Sequence, residues 1–337
     1  MTKRDIKITD VTLRDGSHAV AHQFTKQQVR SVTRALDDAG MHYIEVSHGD
    51  GLGGSTIQYG RSLVDEFGLV EAAVEEIVNS KIAVLLLPGI GTVNELKEAN
   101  NLGASLVRVA THVTEADVSA QHIHSARELG MEALGFLMMA HSAPTETLVE
   151  QAKLMESYGA QAVYITDSAG ALLPHQVTEK VNALKNHLNI EVGFHGHNNL
   201  SLAVANTLAA IDAGATRIDS SVRCLGAGAG NTQTEVLLAV MNRLGMDVGI
   251  DIYKMMDLAE DVVAPLIHGT QEITKGSLAL GYAGVYSSFL LHAERAGKRF
   301  NIDPRDILIE LGKQKVVGGQ EDMILDVAAN LAKKVGV

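Results

Sequence analysis

The segment Thr12-Leu13-Arg14-Asp15-Gly16-Ser17-His18 places a guanidinium, a carboxylate and an imidazole within five residues. It ends a short alternating apolar run, and a glycine after such a run is typical of a strand that enters a turn. In a continuing strand, Arg14 and Asp15 would point to opposite faces. Both can reach one site only if the backbone leaves strand geometry here, and Gly16 permits that.

A second segment, Val192-Gly193-Phe194-His195-Gly196-His197-Asn198, carries complementary chemistry. Histidines two residues apart on a strand share a face, so His195 and His197 can bind one metal ion. Asp15 would complete a set of two histidines and one carboxylate. Such nitrogen and oxygen ligands suit a divalent ion such as Mn²⁺, with Mg²⁺ or Co²⁺ as possible substitutes. Three protein ligands leave positions open for a substrate and water.

Apolar strand-like segments alternate with helical patterns along most of the chain. Eight strands are predicted, over residues 7–13, 43–48, 82–87, 106–111, 131–138, 162–167, 191–197 and 217–222. Eight β-then-α units in roughly 245 residues are typical of a TIM (β/α)8 barrel. The rival, a doubly wound open sheet, usually has fewer strands and a glycine fingerprint after the first. The barrel would open the carboxyl ends of the first and seventh strands on one face, where this fold holds its active sites.

The alternation stops after about residue 248. Helical patterns follow over residues 251–267, 277–300, 304–311 and 321–335, with an exposed loop predicted over 314–322. The α/β chain is therefore expected to comprise a catalytic barrel over residues 1–248 and a helical C-terminal extension over 249–337.

The overall composition excludes several classes of protein. With 46% hydrophobic and 20% charged residues, the chain has the make-up of an ordinary globular protein. Its formal net charge of −12 disfavours a nucleic-acid surface. Cys224 is the single cysteine, which excludes an intramolecular disulfide and fits a reducing compartment. No apolar stretch approaches the ~20 residues of a membrane span, so a cytoplasmic location without membrane association is expected.

Other polar residues lie where the barrel would place its active site. Arg14 could form a structural salt bridge; beside a metal, its planar and always-charged guanidinium is expected to hold a carboxylate or a developing oxyanion. His18 is the best candidate for a general base. Ser168 could donate to a substrate carboxylate, and His48 is assigned no role beyond supporting the site. The glycine-rich loop 226–231 could bind phosphate, or could close the backbone under the metal site with its last residue, an asparagine, as an outer group.

Three motifs resemble the metal-dependent aldolase and Claisen superfamily that includes HMG-CoA lyase. They are TLRDG at the first strand, HxHN at the seventh and GxGAGN after the eighth. Longer segments are similar to the 4-hydroxy-2-oxovalerate aldolase family, nearly from end to end. These are ITDVTLRDGSHAV, IEVSHGDGLGGS, LLLPGIGTVNELK, VRVATHVTEADVS, GFLMMAHSAP, GYAGVYSSFLLHAE and VGGQEDMILDVA.

The resemblance implies a class II pyruvate aldolase of bacterial aromatic-compound degradation. Such an enzyme cleaves 4-hydroxy-2-oxopentanoate and related 4-hydroxy-2-oxoacids to pyruvate and acetaldehyde. It also implies a partner, an acylating acetaldehyde dehydrogenase, to which the aldehyde is channelled in a hetero-oligomer. The usual ion of the family is Mn²⁺.

The resemblance further implies roles for individual residues. Asp15, His195 and His197 match the metal ligands. Arg14 matches the residue that stabilises the pyruvate enolate, and His18 the catalytic base. Tyr286 matches a tyrosine over the active site that helps to control stereochemistry. Substrate contacts are implied for Arg14, Asp15, Ser168, His195 and Tyr286.

Rival functions remain open at this point. A thioester-using lyase or a Claisen-type condensing enzyme of the same superfamily is the nearest, although Cys224 lies earlier than an HMG-CoA lyase would need. A two-histidine, one-carboxylate Fe(II) oxygenase has the same ligands. A non-catalytic binding subunit is disfavoured by the complete set of polar groups. A Schiff-base aldolase is disfavoured because no lysine lies in the three superfamily motifs.

Overall fold

Eight parallel strands close into a barrel in chain order, which confirms the predicted TIM barrel. The structure is a computed structural model that describes residues 2–3, 5–267 and 271–335. Its strands are β1 (Thr2–Lys3), β2 (Lys7–Asp10), β3 (Tyr43–Glu45), β4 (Lys81–Leu86), β5 (Leu106–His112), β6 (Glu132–Met138), β7 (Ala162–Asp167), β8 (Glu191–Gly196), β9 (Arg217–Ser220) and β10 (Met246–Asp247). Strands β2 to β9 form the barrel, and β1 pairs separately with β10.

Alternation along the strands separates two apolar layers. In β4, Ile82 and Val84 join the core between the strands and the outer helices, whereas Ala83 and Leu85 join the smaller core inside the barrel. Both sets of side chains are buried. Strands covered on both faces are expected to be apolar throughout, as this one is.

Eight helices surround the barrel. They are α1 (Lys26–Asp38), α2 (Glu66–Val74), α3 (Val93–Leu102), α4 (Ala120–Glu128), α5 (Thr145–Ser157), α6 (Pro174–His187), α7 (Ala203–Asp212) and α8 (Thr234–Arg243). In α1 a capping box joins Thr25 to Gln28, and the buried stripe of Val29, Val32 and Leu36 faces the barrel. The box satisfies backbone donors at the start of the helix, and burial of the stripe fixes its orientation.

The chain beyond the barrel forms two groups of helices. The first runs through α9 (Ile252–Asp257), a π-helical turn (Leu258–Val263) and a 3₁₀ turn (Ala264–Leu266), and its apolar side chains join the outer core of the barrel. The second comprises α10 (Lys275–Ala283), α11 (Phe289–Phe300), α12 (Pro304–Gln314) and α13 (Asp322–Val335), which share a core of their own. The domain boundary expected near residue 248 stays a prediction.

The prediction of one helix over residues 277–300 is wrong. Helix α10 ends at Gly284, whose φ of +66° is left-handed and is accessible to glycine at little cost. The next four residues lead to α11, and Ser287 among them donates to the backbone oxygen of Ser168, just after β7. The break therefore belongs to the region that covers the site.

Helices α10 and α11 are held against the loops at the carboxyl ends of the strands. Ser287 Oγ donates to the backbone oxygen of Ser168 (2.7 Å) and accepts from Asn199 Nδ2 (2.8 Å). His141 Nε2 lies 3.0 Å from the backbone oxygen of Gly284. These contacts place the extension over the active-site face of the barrel. Within the ranges described above, none of the helices has the length and apolarity needed to cross a membrane.

Candidate active site

Asp15, His195 and His197 converge at the carboxyl ends of the barrel strands. Asp15 opens a 3₁₀ turn (Asp15–Val20) that follows β2, so the backbone leaves strand geometry as predicted. His195 lies in β8, and His197 lies just after that strand ends. The two Nε2 atoms are 3.3 Å apart, and they lie 3.5 and 3.7 Å from Asp15 Oδ2. All three side chains are buried.

The arrangement fits a divalent cation. His195 Nδ1 donates to Asp219 Oδ2 (2.8 Å) and His197 Nδ1 donates to the backbone oxygen of Ala227 (3.2 Å), which leaves both Nε2 atoms free to act as ligands. Two ligand atoms at about 2.1 Å from one ion lie roughly 3.0–3.5 Å apart for angles between octahedral and tetrahedral. The observed separations are close to this range, so one cation could bind all three groups.

The electrostatics of the three groups are consistent with a cation site. Burial acts to raise the pKa of Asp15, but Arg14 and the two histidines lower it well below its ordinary value. Burial lowers the pKa of His197 to about 4, which keeps that ring neutral. Burial also acts to lower the pKa of His195, yet hydrogen bonds to Asp15 and Asp219 raise it above its ordinary value. A cation and a proton would compete for the same ring nitrogen of His195, so cation binding should weaken in acid.

Arg14 lies beside the three candidate ligands. Its Nη1 donates to Asp15 Oδ2 (2.9 Å) and its Nε donates to Glu45 Oε2 (2.6 Å). Its Nη2 is buried and has no hydrogen-bond acceptor among the residues that the structure describes. A buried unpaired donor is costly, and a substrate oxygen could accept this one.

The glycine-rich loop contacts the candidate ligands directly. The backbone nitrogen of Ala227 donates to Asp15 Oδ1 (3.1 Å), and its oxygen accepts from His197. This geometry favours closure under the metal site over phosphate binding. Asn231 is buried, and its Nδ2 donates to the backbone oxygen of Leu225, the residue just before this loop (3.0 Å). Burial raises the pKa of the Cys224 thiol to about 12, which disfavours a role for it as a nucleophile.

His18 lies one 3₁₀ turn beyond Asp15 and is half-buried. Its ring packs so closely on Gly49 that a Cβ added to that glycine would lie 2.4 Å from His18 Nε2. The Gly49 backbone oxygen also accepts from Arg14 Nη1 (3.4 Å), so the imidazole of His18 and the guanidinium of Arg14 both lie next to Gly49. The His22 ring lies edge-on to His18, with centroids 4.9 Å apart, and stacks on His48 at 3.8 Å.

Burial favours the neutral form of the two neighbouring imidazoles, His22 and His48. Burial is the main cause that lowers the pKa of His22 to about 2 and that of His48 to about 4. His48 Nδ1 accepts from the backbone nitrogen of Asp50 (3.0 Å), and its Nε2 donates to the backbone oxygen of Gly60 (3.0 Å). His48 thus ties together the loop that contains Gly49, on which His18 packs. His18, His22 and Asp50 also lie close enough together to approach one cation.

Ser168 and Tyr286 lie at the boundary between the barrel and the extension. Ser168 Oγ accepts from the backbone nitrogen of Met139 (3.0 Å), which leaves its hydroxyl hydrogen free to donate. Tyr286 belongs to the connection between α10 and α11, and its hydroxyl lies 4.0 Å from Met138 Sδ. Burial raises the pKa of Tyr286, so the phenol stays protonated at neutral pH.

Two cavities meet at this boundary. One, of about 300 Å³, is lined by Leu87, Met138 and Tyr286 among others; the second, of about 200 Å³, includes His18 and His22. Both are lined by Asp50, Tyr59 and Glu321. None of the three candidate ligands lines either cavity, so the space lies beside the cation site, between the loops of the barrel and the extension.

Three buried charged residues are absent from the site predicted from the sequence. Glu45, Arg108 and Asp219 lie within β3, β5 and β9, and their side chains meet inside the barrel. Glu45 and Arg108 each interrupt an apolar run, as in Val107-Arg108-Val109, whereas Asp219 lies among polar residues. Charged residues are almost never fully buried unless paired, so this interruption was an available signal. The identity of the partners depends on strand register and could not be read from it.

Comparison with known proteins agrees with the resemblance seen in the sequence. The HMGL-like family matches residues 5–262, and the DmpG-like communication domain matches residues 271–333. A 4-hydroxy-2-oxovalerate aldolase of Bacillus thuringiensis (strain Al Hakam) is 76% identical over 98% of this chain and 97% of its own. One from Geobacillus thermodenitrificans (strain NG80-2) is 70% identical over 99% and 97%.

Similarity of fold extends further. The carboxyl transferase domain of Rhizobium etli pyruvate carboxylase superposes with a TM-score of 0.82 at 15% identity, over 98% of this chain and 60% of that one. At this identity the likeness concerns the fold alone. The near-complete matches at 70% identity and above carry the family assignment: the chain is a carbon–carbon lyase of the HMGL-like family and belongs, within it, to the 4-hydroxy-2-oxovalerate aldolases.

Proposed function

We propose that this chain catalyses the divalent-metal-dependent retro-aldol cleavage of 4-hydroxy-2-oxopentanoate, and of related 4-hydroxy-2-oxoacids, to pyruvate and acetaldehyde. The observation that supports this most directly is the convergence of Asp15, His195 and His197 beside Arg14 Nη2, which has no acceptor within the described part of the chain. The names of the close relatives agree with this reaction. The runner-up, a thioester-using enzyme of the same superfamily, has only the buried Cys224 to offer as a thiol.

Asp15, His195 and His197 would hold the cation, for which Mn²⁺ is the first choice and Mg²⁺ or Co²⁺ are substitutes. When bound, the cation supplies Lewis-acid stabilisation of negative charge on the substrate. Asp15 receives hydrogen bonds from Arg14 and from the backbone of Ala227, which orient its carboxylate. The ligand set is therefore held in place before any ion or substrate arrives.

His18 acts as the base in this mechanism. It removes the proton of the 4-hydroxyl group, the C3–C4 bond breaks, and the electron pair passes to the three-carbon fragment as the pyruvate enolate. Arg14 donates to the enolate through its free Nη2. Acetaldehyde leaves, and return of one proton to C3 of the enolate, from His18 or from solvent that His18 has protonated, gives pyruvate and restores the base. Ser168 would donate to the substrate carboxylate, and Tyr286 would limit how the aldehyde end is oriented.

The assay for this reaction follows pyruvate released from 4-hydroxy-2-oxopentanoate. His18→Ala should slow cleavage by about 10²–10⁴-fold because a positioned base is lost. Exchange of the methyl protons of pyruvate with solvent needs the enolate but no hydroxyl deprotonation, so Arg14→Ala should slow this exchange as well as cleavage. An Arg14→Ala protein that exchanges these protons at the wild-type rate would remove Arg14 from the mechanism.

The extension is proposed to bind an acylating acetaldehyde dehydrogenase. Three observations support this: the match of residues 271–333 to a communication domain, the position of these helices over the barrel mouth, and the two adjoining cavities beneath them. Acetaldehyde is small and reactive, so direct transfer would limit its loss. The cavities between the loops and the extension would form part of the exit route.

Co-expression with such a dehydrogenase should yield a complex that co-elutes at micromolar concentration. Aldehyde made by the aldolase should reach the second enzyme even with an external aldehyde trap present. Free acetaldehyde added to the same mixture is the control, and the trap should intercept it. Separate elution together with complete interception of the aldehyde would contradict the partner proposal and leave the aldolase chemistry intact.

A further inference from the structure

Arg108 lies at the centre of a buried charged group inside the barrel, here called the Arg108 cluster (Arg108, Glu45 and Asp219). Its Nε donates to Glu45 Oε1 (2.7 Å), its Nη2 donates to Glu45 Oε2, and its Nη1 donates to Asp219 Oδ2. The side chains of Arg108 and Glu45 are fully buried, and that of Asp219 is nearly so. The guanidinium also lies over the ring of Phe136, 4.5 Å from its centroid.

Each carboxylate of the cluster also holds one group of the candidate active site. Glu45 Oε2 accepts from Arg14 Nε (2.6 Å), and Asp219 Oδ2 accepts from His195 Nδ1 (2.8 Å). The Arg108 guanidinium therefore binds both the carboxylate that holds Arg14 and the carboxylate that holds His195. We infer that Arg108 is a positioning residue that fixes Arg14 and His195 relative to each other. This inference rests on the function proposed above.

The geometry requires an arginine. A guanidinium is planar and offers five donors in a rigid fork, so it can engage two carboxylates at once. Lysine keeps the charge but presents one rotatable ammonium, which can approach one carboxylate well or both poorly. With a lysine here, Glu45 and Asp219 would no longer be tied together, and Arg14 and His195 would be free to shift independently.

Arg217 offers a matched control elsewhere in the same barrel. It is also buried, donates to Glu191 Oε2 (2.8 Å) and to Glu132, and lies 5.2 Å from the ring centroid of Tyr43. Arg217, Glu132 and Glu191 are each the first residue of their strand, so this group lies at the end of the barrel away from the site. If Arg108 had a purely structural role, replacing it by lysine would affect Mn²⁺ binding and proton exchange no more than replacing Arg217 does.

The test compares Arg108→Lys with Arg217→Lys. Binding of Mn²⁺ to the metal-free proteins is measured by calorimetry, and exchange of pyruvate methyl protons is measured at saturating Mn²⁺. Arg108→Lys should weaken Mn²⁺ binding by about 10–100-fold, the usual effect of losing support behind a ligand. It should slow exchange by about 10²-fold, since an error of ~1 Å in position has that effect. Arg217→Lys should lower the unfolding midpoint while both quantities stay within about twofold of wild type.

A double-mutant cycle covers the case in which Arg108→Lys does not fold. Glu45→Gln and Asp219→Asn leave Arg108 in place and keep the shapes of both side chains. If Arg108 couples them, the loss of Mn²⁺ affinity in the double variant should differ from the product of the single losses by about fivefold or more.

Either of two results would overturn the inference alone: an Arg108→Lys protein that behaves as Arg217→Lys does, or a cycle that is multiplicative within about twofold. A wild-type protein that binds no Mn²⁺ and exchanges no pyruvate protons would instead overturn the proposed function, and the inference with it.

Discussion

Gly49 decides where the proposed base can lie. The His18 ring occupies the space that a Cβ at this position would take, at 2.4 Å from Nε2. The overlap is with the far end of a flexible side chain, so Gly49→Ala should change the free energy of unfolding little. The imidazole must nevertheless move by about 1 Å, and kcat/KM for cleavage should fall by about 10²-fold.

Gly54→Ala is the matched control for that substitution. Its Cβ would meet the His48 ring at 2.5 Å and the backbone oxygen of Gly51 at 2.9 Å, so it displaces a supporting histidine instead of the base. This variant should lose more stability than Gly49→Ala and less activity. If Gly54→Ala instead lost more cleavage activity than Gly49→Ala, the position of His18 would not depend on Gly49.

Asp10 gives the pH dependence of stability a testable component. It is fully buried at the end of β2, and burial raises its pKa to about 7, although Thr12 and Thr234 donate to it. Between pH ~4 and ~7 the native state thus holds a proton that the unfolded state has lost, so stability falls as pH rises through this range. Above pH ~7 this contribution is constant.

Asp10→Asn cannot ionise and keeps an acceptor for the backbone nitrogen of Thr12. The free energy of unfolding of the variant minus that of wild type should therefore be larger at pH 8 than at pH 4, by at most about 4 kcal/mol. Denaturant unfolding at the two pH values measures the difference, and Glu66, whose pKa burial also raises to about 7, is common to both proteins. If the difference in unfolding free energy between the two proteins were the same at pH 4 and pH 8, Asp10 would be ionised in the native protein at both pH values.

At the residue scale, the sequence identified the groups that stand in short motifs. Arg14, Asp15 and His18 are neighbours in the chain, and the structure keeps them together because a 3₁₀ turn follows β2. Glu45 and Arg108 could not be placed in the same way. Their pairing depends on the register and tilt of strands separated by more than sixty residues, which local patterns do not encode.

At the scale of elements, the strands were predicted more reliably than the helices of the extension. Strands covered on both faces are continuous apolar runs, and glycines end most of the helices between them. The single helix predicted over residues 277–300 includes residues 284–288, which in the structure connect α10 to α11. The hydrogen bonds of Ser287 to Ser168 and Asn199 hold this connection in another conformation, and these partners are distant in sequence.

Gly281 tests how tightly α10 must approach the barrel. Alanine is normally favoured over glycine in a helix by roughly 0.5–1 kcal/mol. Here, however, an added Cβ would lie 2.8 Å from Leu200 Cγ and 3.1 Å from Asn199 Cβ, and overpacking typically costs about 1–3 kcal/mol. The second effect should dominate, so Gly281→Ala should destabilise the protein and disturb the nearby Ser287.

The measurement is denaturant unfolding together with the rate of pyruvate release. Tyr282→Ala, at a neighbouring position that is 79% exposed, is the control and should change both quantities little. A Gly281→Ala protein that gains stability, as helix propensity alone predicts, would show that α10 does not pack closely on the loop at residues 199–200.

At the scale of the whole molecule, the count of eight β-then-α units was enough to predict a closed barrel. Closure brings residue 15 and residue 195 together, because β2 and β8 are separated in the barrel by β9 alone. The position of the extension over the barrel mouth could not be predicted from its helical pattern. It depends on contacts such as Gln58 Nε2 to Glu321 Oε2 (3.1 Å), between residues 263 positions apart.

The most direct test of the central claim is a Mn²⁺ titration of chelator-stripped protein that records bound ion and pyruvate formation in the same samples. The wild-type chain should bind one ion at this site, and its cleavage rate should rise from near zero in proportion to occupancy. Asp15→Ala should retain the fold but neither hold the ion nor cleave 4-hydroxy-2-oxopentanoate. Full activity in metal-free protein, or in Asp15→Ala without bound ion, would contradict the assignment of Asp15, His195 and His197 as the metal centre that drives the reaction.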